Sequence, residues 1–126
     1  MKPEFTAGTN IAIKTPSHEF DALVKFYRDV LGFAQLMKND PDPFESVCFS
    51  FGDKVLWVDK IDGISQAEIW LEIVTGDLPL AQKYLEERGC SIRNEIEHLP
   101  DSLNAFWLSS PGNIIHLVTE PPSGQT

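Results

Sequence analysis

The stretch Tyr27-Arg28-Asp29-Val30-Leu31-Gly32 closes a run of apolar residues with a glycine, and Tyr84-Leu85-Glu86-Glu87-Arg88-Gly89 repeats its spacing. A glycine at such a position can adopt the left-handed conformation that ends a helix. Apolar residues before Gly32 recur at helical spacings of three and four, so they form one buried stripe. Because repetition within a chain indicates a duplicated unit, the two stretches predict two modules with one helix each.

The same order of elements surrounds both helix ends. An apolar strand precedes each helix, at residues 10–14 and 69–74. Short strands follow, at 33–37, 45–51 and 54–59 in the first half and at 91–97, 104–109 and 113–119 in the second. Each half therefore has the order strand, helix, strand, strand, strand (βαβββ). This order predicts an α+β fold with module one at about 8–60, a linker at 61–66, module two at about 67–120 and a tail at 121–126.

The helix starts and the one Pro-rich loop complete this assignment. Ser17 and Asp77 stand where a side chain can accept a free backbone N–H of the first helical turn. Residues 39–43 contain two prolines, which disfavour pairing in a sheet, so a loop is predicted there. With a helix over one face of each sheet, the uncovered faces are expected to bound a cleft in a mixed sheet.

Composition narrows the expected partners and the expected location. The chain has 126 residues and a formal net charge of −9. Negative charge of this size disfavours nucleic acid and anionic membrane surfaces as partners. No apolar run approaches the length of a membrane span, and the first residues lack the apolar stretch of a secretory signal. We therefore expect a cytoplasmic protein.

The sequence resembles a known family at two places. Phe26-Tyr27-Arg28-Asp29-Val30-Leu31-Gly32-Phe33 is similar to the helix end of the vicinal oxygen chelate superfamily, which includes glyoxalase I, bleomycin-resistance proteins and extradiol dioxygenases. Ser110-Pro111-Gly112-Asn113-Ile114-Ile115-His116 resembles that family's closing turn and last strand, with one residue fewer between the proline and the glycine. The resemblance implies two βαβββ modules in a cup-shaped mixed sheet with outer helices, often as a homodimer.

Strand alternation predicts which side chains face the cup. Under a helix we expect Ile69, Leu71 and Ile73 of one strand and Ile115 and Leu117 of the last strand. The residues between them should face the cup. The predicted cup-facing set is Asn10, Ala12, Lys14, Val55, Trp57, Asp59, Glu68, Trp70, Glu72, Ile114, His116 and Val118.

The positions where metal enzymes of this family carry their ligands hold unusual residues here. The resemblance assigns those positions to Asn10, Trp57, Trp70 and His116. His116 is a good metal ligand, Asn10 offers a weak carbonyl oxygen, and neither tryptophan offers a donor atom. A catalytic divalent site normally needs three protein ligands. The four positions are present in this sequence, but only His116 among them is a good metal ligand.

Three hypotheses follow for the function. The leading one is a small-molecule-binding protein of the glyoxalase and bleomycin-resistance type, without metal. It would hold an aromatic or cationic ligand on Trp57 and Trp70, with Glu72, His116 and Asn10 as further contacts. The alternative is a metal-dependent lyase, isomerase or dioxygenase in which His116, Glu72 and Asp59 bind a divalent metal. The third is an interaction module in which Trp57 and Trp70 pack against each other and fill the cup.

Overall fold

The computed structural model describes residues 2–38 and 44–121. It divides into two compact units. The first unit holds residues 9–70, and the second unit holds residues 71–121 together with residues 2–8. Met1, the predicted loop at 39–43 and residues 122–126 of the predicted tail lie outside the described residues.

Eight strands and two α-helices form within the described residues. No helix within these ranges has the length and the apolar character that crossing a bilayer requires. In chain order the elements are β1 (Phe5–Pro16), α1 (Phe20–Lys25), β2 (Gln35–Leu36), β3 (Ser46–Phe51), β4 (Lys54–Ile61), β5 (Glu68–Thr75), α2 (Leu78–Glu87), β6 (Ser91–Ile92), β7 (Ala105–Ser109) and β8 (Ile115–Thr119).

The sheet of the first unit is covered by α1 on one side. Its strand order is β2-β3-β4-β1, in which β1 runs parallel to β4 and β3 runs antiparallel to it. Phe20 and Val24 of α1 pack against Phe49 of β3 and Val58 of β4. All four side chains are buried, so this contact fixes which face of the strands lies under the helix. We call the opposite side the helix-free face of the first unit.

The second unit repeats this arrangement with α2. Its strand order is β5-β8-β7-β6, with β5 parallel to β8 and β7 antiparallel to both of its neighbours. Leu78 and Leu85 of α2 pack against a buried cluster formed by Phe106, Leu108 and Val118. Since both units have the same βαβββ connectivity, the predicted α+β class and the predicted duplication are confirmed.

Three of the four predicted helix boundaries are confirmed. A π-helical segment, Phe26–Val30, continues α1 toward Gly32. Gly32 and Gly89 have φ values of 76° and 93°, which place both in the left-handed conformation that ends a helix. The Asp77 carboxylate accepts the backbone N–H of Leu80 at 3.0 Å, so it caps α2. The two helix-ending turns that define the repeat, at Gly32 and Gly89, could therefore be predicted from residue type alone.

The predicted cap at Ser17 is wrong. Residues Ser17–Glu19 form a 3₁₀ turn before α1, and no side-chain hydrogen bond caps either segment. The Ser17 hydroxyl donates to the Asp62 carboxylate instead. A carboxylate from a distant part of the chain competes for this hydroxyl, and local spacing does not predict such a partner.

Strand β6 is shorter than predicted, because an asparagine side chain takes over its pairing. The prediction extends over 91–97, yet β6 ends at Ile92. The backbone N–H of Trp107, in the neighbouring strand, donates at 2.9 Å to the Asn94 side chain. A side-chain acceptor thus replaces the backbone carbonyl that a longer strand would supply.

Candidate functional site

Side chains from three strands form rows across the helix-free face of the first unit. Val58 packs under α1, so its neighbours Trp57 and Asp59 point to the opposite face. Strands β1 and β3 are both in register with β4, which places a partner on each side of these two residues. One row is Ala12, Trp57 and Cys48, and the next is Lys14, Asp59 and Ser46.

The side chains of Asn10 and Trp57 are joined by a hydrogen bond. The indole Nε1 of Trp57 donates to Oδ1 of Asn10 at 2.8 Å, and both side chains are half-buried. Oδ1 is the one metal-binding atom that an asparagine side chain offers, and an indole offers none. The resemblance assigns metal ligands to these two positions, but the pair found there does not fit a metal ion.

Asp59 is held by two neighbours across the sheet. Its Oδ2 accepts Nζ of Lys14 at 2.8 Å, and its Oδ1 accepts the Ser46 hydroxyl at 2.6 Å. The side chains of Lys14 and Asp59 are 5% and 6% exposed, so this is a buried ion pair. Both carboxylate oxygens therefore have partners within the protein, and Asp59 is committed to the fold rather than presented to a metal.

Lys14 also lies against two aromatic rings. Its Nζ is 4.4 Å from the ring centroid of Trp70 and 4.9 Å from that of Phe44. The indole N–H of Trp70 donates to the Glu68 carboxylate at 3.1 Å. The sequence predicts Lys14 on this face but gives it no role. The signal was present, because a lysine among the apolar residues of β1 has to find a counter-charge when it is buried.

Trp57 and Trp70 do not pack on each other as the third hypothesis requires. Within residues 2–38 and 44–121, no aromatic ring pair joins these two side chains. Trp57 is half-buried beside Asn10, and Trp70 is half-buried beneath the Lys14 ammonium. Each ring is therefore positioned by a polar partner rather than by the other ring.

Glu72 lies on the side of the second unit's sheet that α2 does not cover, which we call the helix-free face of the second unit. It is paired in register with Leu117, and Leu117 is paired with Trp107. Its side chain packs directly over Gly8, where an added Cβ would overlap with it. Trp107 shares this face and is buried, with its indole N–H donating to the backbone carbonyl of Glu97 at 3.0 Å.

The predicted orientation of His116 is wrong. His116 is paired in register with Leu108, which belongs to the cluster packed against α2. Residues paired across a sheet share a face, so His116 lies on the α2 side, opposite to Glu72. Its Nδ1 is 3.0 Å from the carbonyl oxygen of Ile114.

The same correction applies to the whole last strand. Val118, expected to face the cup, is completely buried in the cluster under α2. Ile115 and Leu117, expected under the helix, share the face of Glu72. Strand β8 has apolar residues on both faces, with Ile115 and Leu117 on one face and Val118 on the other. Alternation alone therefore does not show which face packs under the helix.

The ligand set of the alternative hypothesis is not assembled. Across residues 2–38 and 44–121, no group of three or more His, Cys, Asp or Glu side chains could hold a metal ion. Asp59 is in an ion pair with Lys14, and His116 lies on the α2 side of its sheet. The described residues therefore do not fit the divalent metal that the resemblance implies.

The first unit also has a cavity of about 330 Å³ beside α1. None of the predicted site residues contributes to its wall. The lining residues are Thr15, Glu19, Ala22, Leu23, Phe26 and Ala67.

Comparisons with known proteins support the fold through structure alone. No protein-family model matches the chain, and no curated protein matches it. The Mn(II)-bound glyoxalase from Novosphingobium aromaticivorans is similar with a TM-score of 0.67 and 17% identity, over 94% of this chain and 40% of that one. A hypothetical protein from Bacillus halodurans C-125 is similar with a TM-score of 0.67 and 11% identity, over 98% of this chain and 99% of that one.

A third similar structure is the homoprotocatechuate 2,3-dioxygenase from Arthrobacter globiformis. Its TM-score is 0.62 and its identity 14%, over 94% of this chain and 37% of the enzyme. The chain thus spans about two fifths of the glyoxalase and of the dioxygenase, but nearly all of the Bacillus protein. At these identities the likeness concerns architecture. The chain therefore shares the fold of the glyoxalase and of the dioxygenase, as the sequence resemblance implied.

Proposed function

We propose that this protein binds a planar aromatic small molecule without a metal, on the helix-free face that carries Trp57 and Trp70. The hydrogen bond from Trp57 to Asn10 carries the proposal, because it joins two positions where the resemblance implies metal ligands. A metal at Asn10 would have to share the amide oxygen with the indole N–H, which weakens an already poor donor atom. Neither partner would supply a second donor atom to compensate.

The charges on this face favour an aromatic ligand over a cationic one. A cation would be attracted by free carboxylates, but Asp59 already binds the Lys14 ammonium. That ammonium also lies over the Trp70 ring, the contact that a cationic ligand would otherwise make. The protein's own lysine therefore takes the place of a cationic ligand, and a neutral or anionic planar molecule suits the remaining surface better.

The proposal also concerns the remaining predicted contacts, the oligomeric state and the location of the protein. Glu72 remains a predicted ligand contact, whereas His116 is withdrawn because it lies on the α2 side of its strand. A homodimer, as the resemblance implies, can be checked by light scattering of the purified protein. A cytoplasmic location can be checked by cell fractionation.

Three probes of the same size but different charge test the proposal by calorimetric titration. They are 2-naphthol, 2-naphthoate and the 1-methylquinolinium cation. We expect the first two to bind more tightly than the cation, and Trp57→Ala and Trp70→Ala each to weaken binding by about 1–3 kcal/mol. Trp107→Phe is the control, since that ring is buried in the second unit and bonded to Glu97. Binding that is unchanged in both alanine variants refutes the proposal, as does a stoichiometric metal in the purified protein.

A further inference from the structure

A second feature lies in the second unit and is independent of the tryptophan face. The chain has 10 basic residues against 19 acidic ones, so basic side chains easily find carboxylate partners. Within the residues that the structure describes, four basic side chains nevertheless make no ion pair: Lys2, Lys25, Lys83 and Arg88.

Three of these four line one cavity. The cavity has a volume of about 350 Å³ and is lined by Lys2, Leu80, Lys83, Tyr84, Glu87 and Arg88. Three cations and one carboxylate give its wall a formal charge of +2, whereas the whole chain carries −9. This volume lies in the range of small-molecule sites. The cavity therefore concentrates positive charge in a protein whose net charge is negative.

The wall of the cavity is built on one face of α2. Leu80, Lys83, Tyr84 and Glu87 are separated by three or four residues, so their side chains project from the same side of the helix. The Arg88 guanidinium lies 4.7 Å from the Tyr84 ring centroid. Phe5 packs against the same ring, with the centroids 6.3 Å apart. Arg88 is thus supported by an aromatic surface that is itself held in place.

We propose that this cavity binds the dianionic group of a phosphate monoester. A guanidinium offers a planar pair of N–H donors that matches two phosphate oxygens, and ammonium groups add point charges without a fixed direction. Binding a dianion would neutralise the formal +2 charge of the wall. The volume exceeds that of a phosphate group, and Leu80 gives an apolar surface on which the organic part of a monoester can rest.

Titration calorimetry at constant ionic strength tests this site, with n-butyl phosphate, inorganic phosphate and sodium butyrate as the probes. None of these probes is aromatic, so none should bind to the tryptophan face proposed above. Constant ionic strength is essential because salt screens exposed charges. We expect saturable binding of n-butyl phosphate, weaker binding of inorganic phosphate and no saturable binding of butyrate. Lys83→Ala and Arg88→Ala should each raise the Kd of n-butyl phosphate about tenfold, as expected for one lost charge-assisted hydrogen bond. Arg88→Lys should recover only part of the loss, because an ammonium cannot form the paired contact.

Lys25→Ala is the matched control, since Lys25 is also exposed and makes no ion pair but does not line the cavity. It should leave the Kd unchanged, and so should Trp57→Ala, which separates this proposal from the function proposed above. All altered cations are exposed, so the variants should fold with unchanged melting temperatures. A Kd raised equally by Lys25→Ala would show that only net charge matters and would overturn the proposal. The absence of saturable n-butyl phosphate binding would overturn it as well.

Discussion

The indole N–H of Trp57 donates to the side-chain oxygen of Asn10 across two parallel strands, over 2.8 Å. The sequence resemblance implies metal ligands at these two positions. Here they form a hydrogen-bonded pair, and in the next row Lys14 and Asp59 form an ion pair. The polar groups of these two rows bind one another, so they do not form the ligand set that the resemblance implies.

Removing the indole N–H while keeping an aromatic ring tests the Asn10 contact. Trp57→Phe leaves the half-buried Asn10 oxygen without this donor, so the free energy of unfolding should fall by about 0.5–1.5 kcal/mol from the hydrogen bond alone, in addition to the cost of the smaller ring. Urea denaturation measures the change. The matched control is Asn10→Ala in the Trp57→Phe background. It should cost less than Asn10→Ala in the natural chain, and equal costs would contradict a direct coupling between the two residues.

The sequence predicted the architecture well because the repeat is a local property. Gly32, Gly89 and Asp77 each act through the conformation or the hydrogen bonding of their own turn, and residue type is enough to identify them. The order of strands and helices follows from these helix boundaries. Ser17 failed because its partner, Asp62, is distant in sequence.

The candidate site could be predicted from the sequence only in part, for a related reason. Alternation placed Trp57 and Asp59 correctly because β4 pairs without interruption. His116 was misplaced because β8 has apolar residues on both faces, so alternation alone does not show which face packs under α2. A lysine in an apolar strand indicates that a counter-charge is needed, but sequence reasoning did not identify the partner of Lys14 because Asp59 lies 45 residues later in the chain.

The Lys14–Asp59 ion pair should be essential to the first unit. Lys14→Met leaves a buried carboxylate without its counter-charge, so stability should fall by about 3–5 kcal/mol. The double variant Lys14→Met with Asp59→Leu should recover a large part of this loss, because it removes both charges from the interior. Chemical denaturation of the two single variants and the double variant forms a complete thermodynamic cycle.

An exposed ion pair serves as the comparison for that cycle. Nε of Arg93 lies 2.7 Å from Oε2 of Glu95, but the two side chains are 39% and 65% exposed. Arg93→Met should therefore change stability little, since solvent screens the pair. If Lys14→Met were equally harmless, the burial of the Lys14–Asp59 pair would have no energetic consequence, contrary to this interpretation.

Gly8 should tolerate no side chain while Glu72 is present. A methyl group at Gly8 would overlap with the Glu72 side chain, so Gly8→Ala should lower stability by about 1–3 kcal/mol. Thermal unfolding of Gly8→Ala, Glu72→Ala and the double variant measures the coupling, and the double variant should be more stable than the sum of the single effects predicts. Gly76→Ala is the control, since a methyl group there meets nothing within 4 Å. Additive effects of Gly8→Ala and Glu72→Ala would contradict the close approach of these residues.

His116 gives the sharpest test of the assignment of faces. Because it shares the α2 side of its sheet with Leu108, His116→Gln should leave the Kd for 2-naphthoate within about twofold of the natural value, which corresponds to about 0.4 kcal/mol. Trp57→Ala, measured in parallel, should weaken binding much more. The metal content of the purified protein should also be unchanged, because the residue takes part in no metal-binding group among the described residues. If His116→Gln weakened binding as much as Trp57→Ala, β8 would have to face the other way, and the metal-dependent alternative would regain its imidazole ligand.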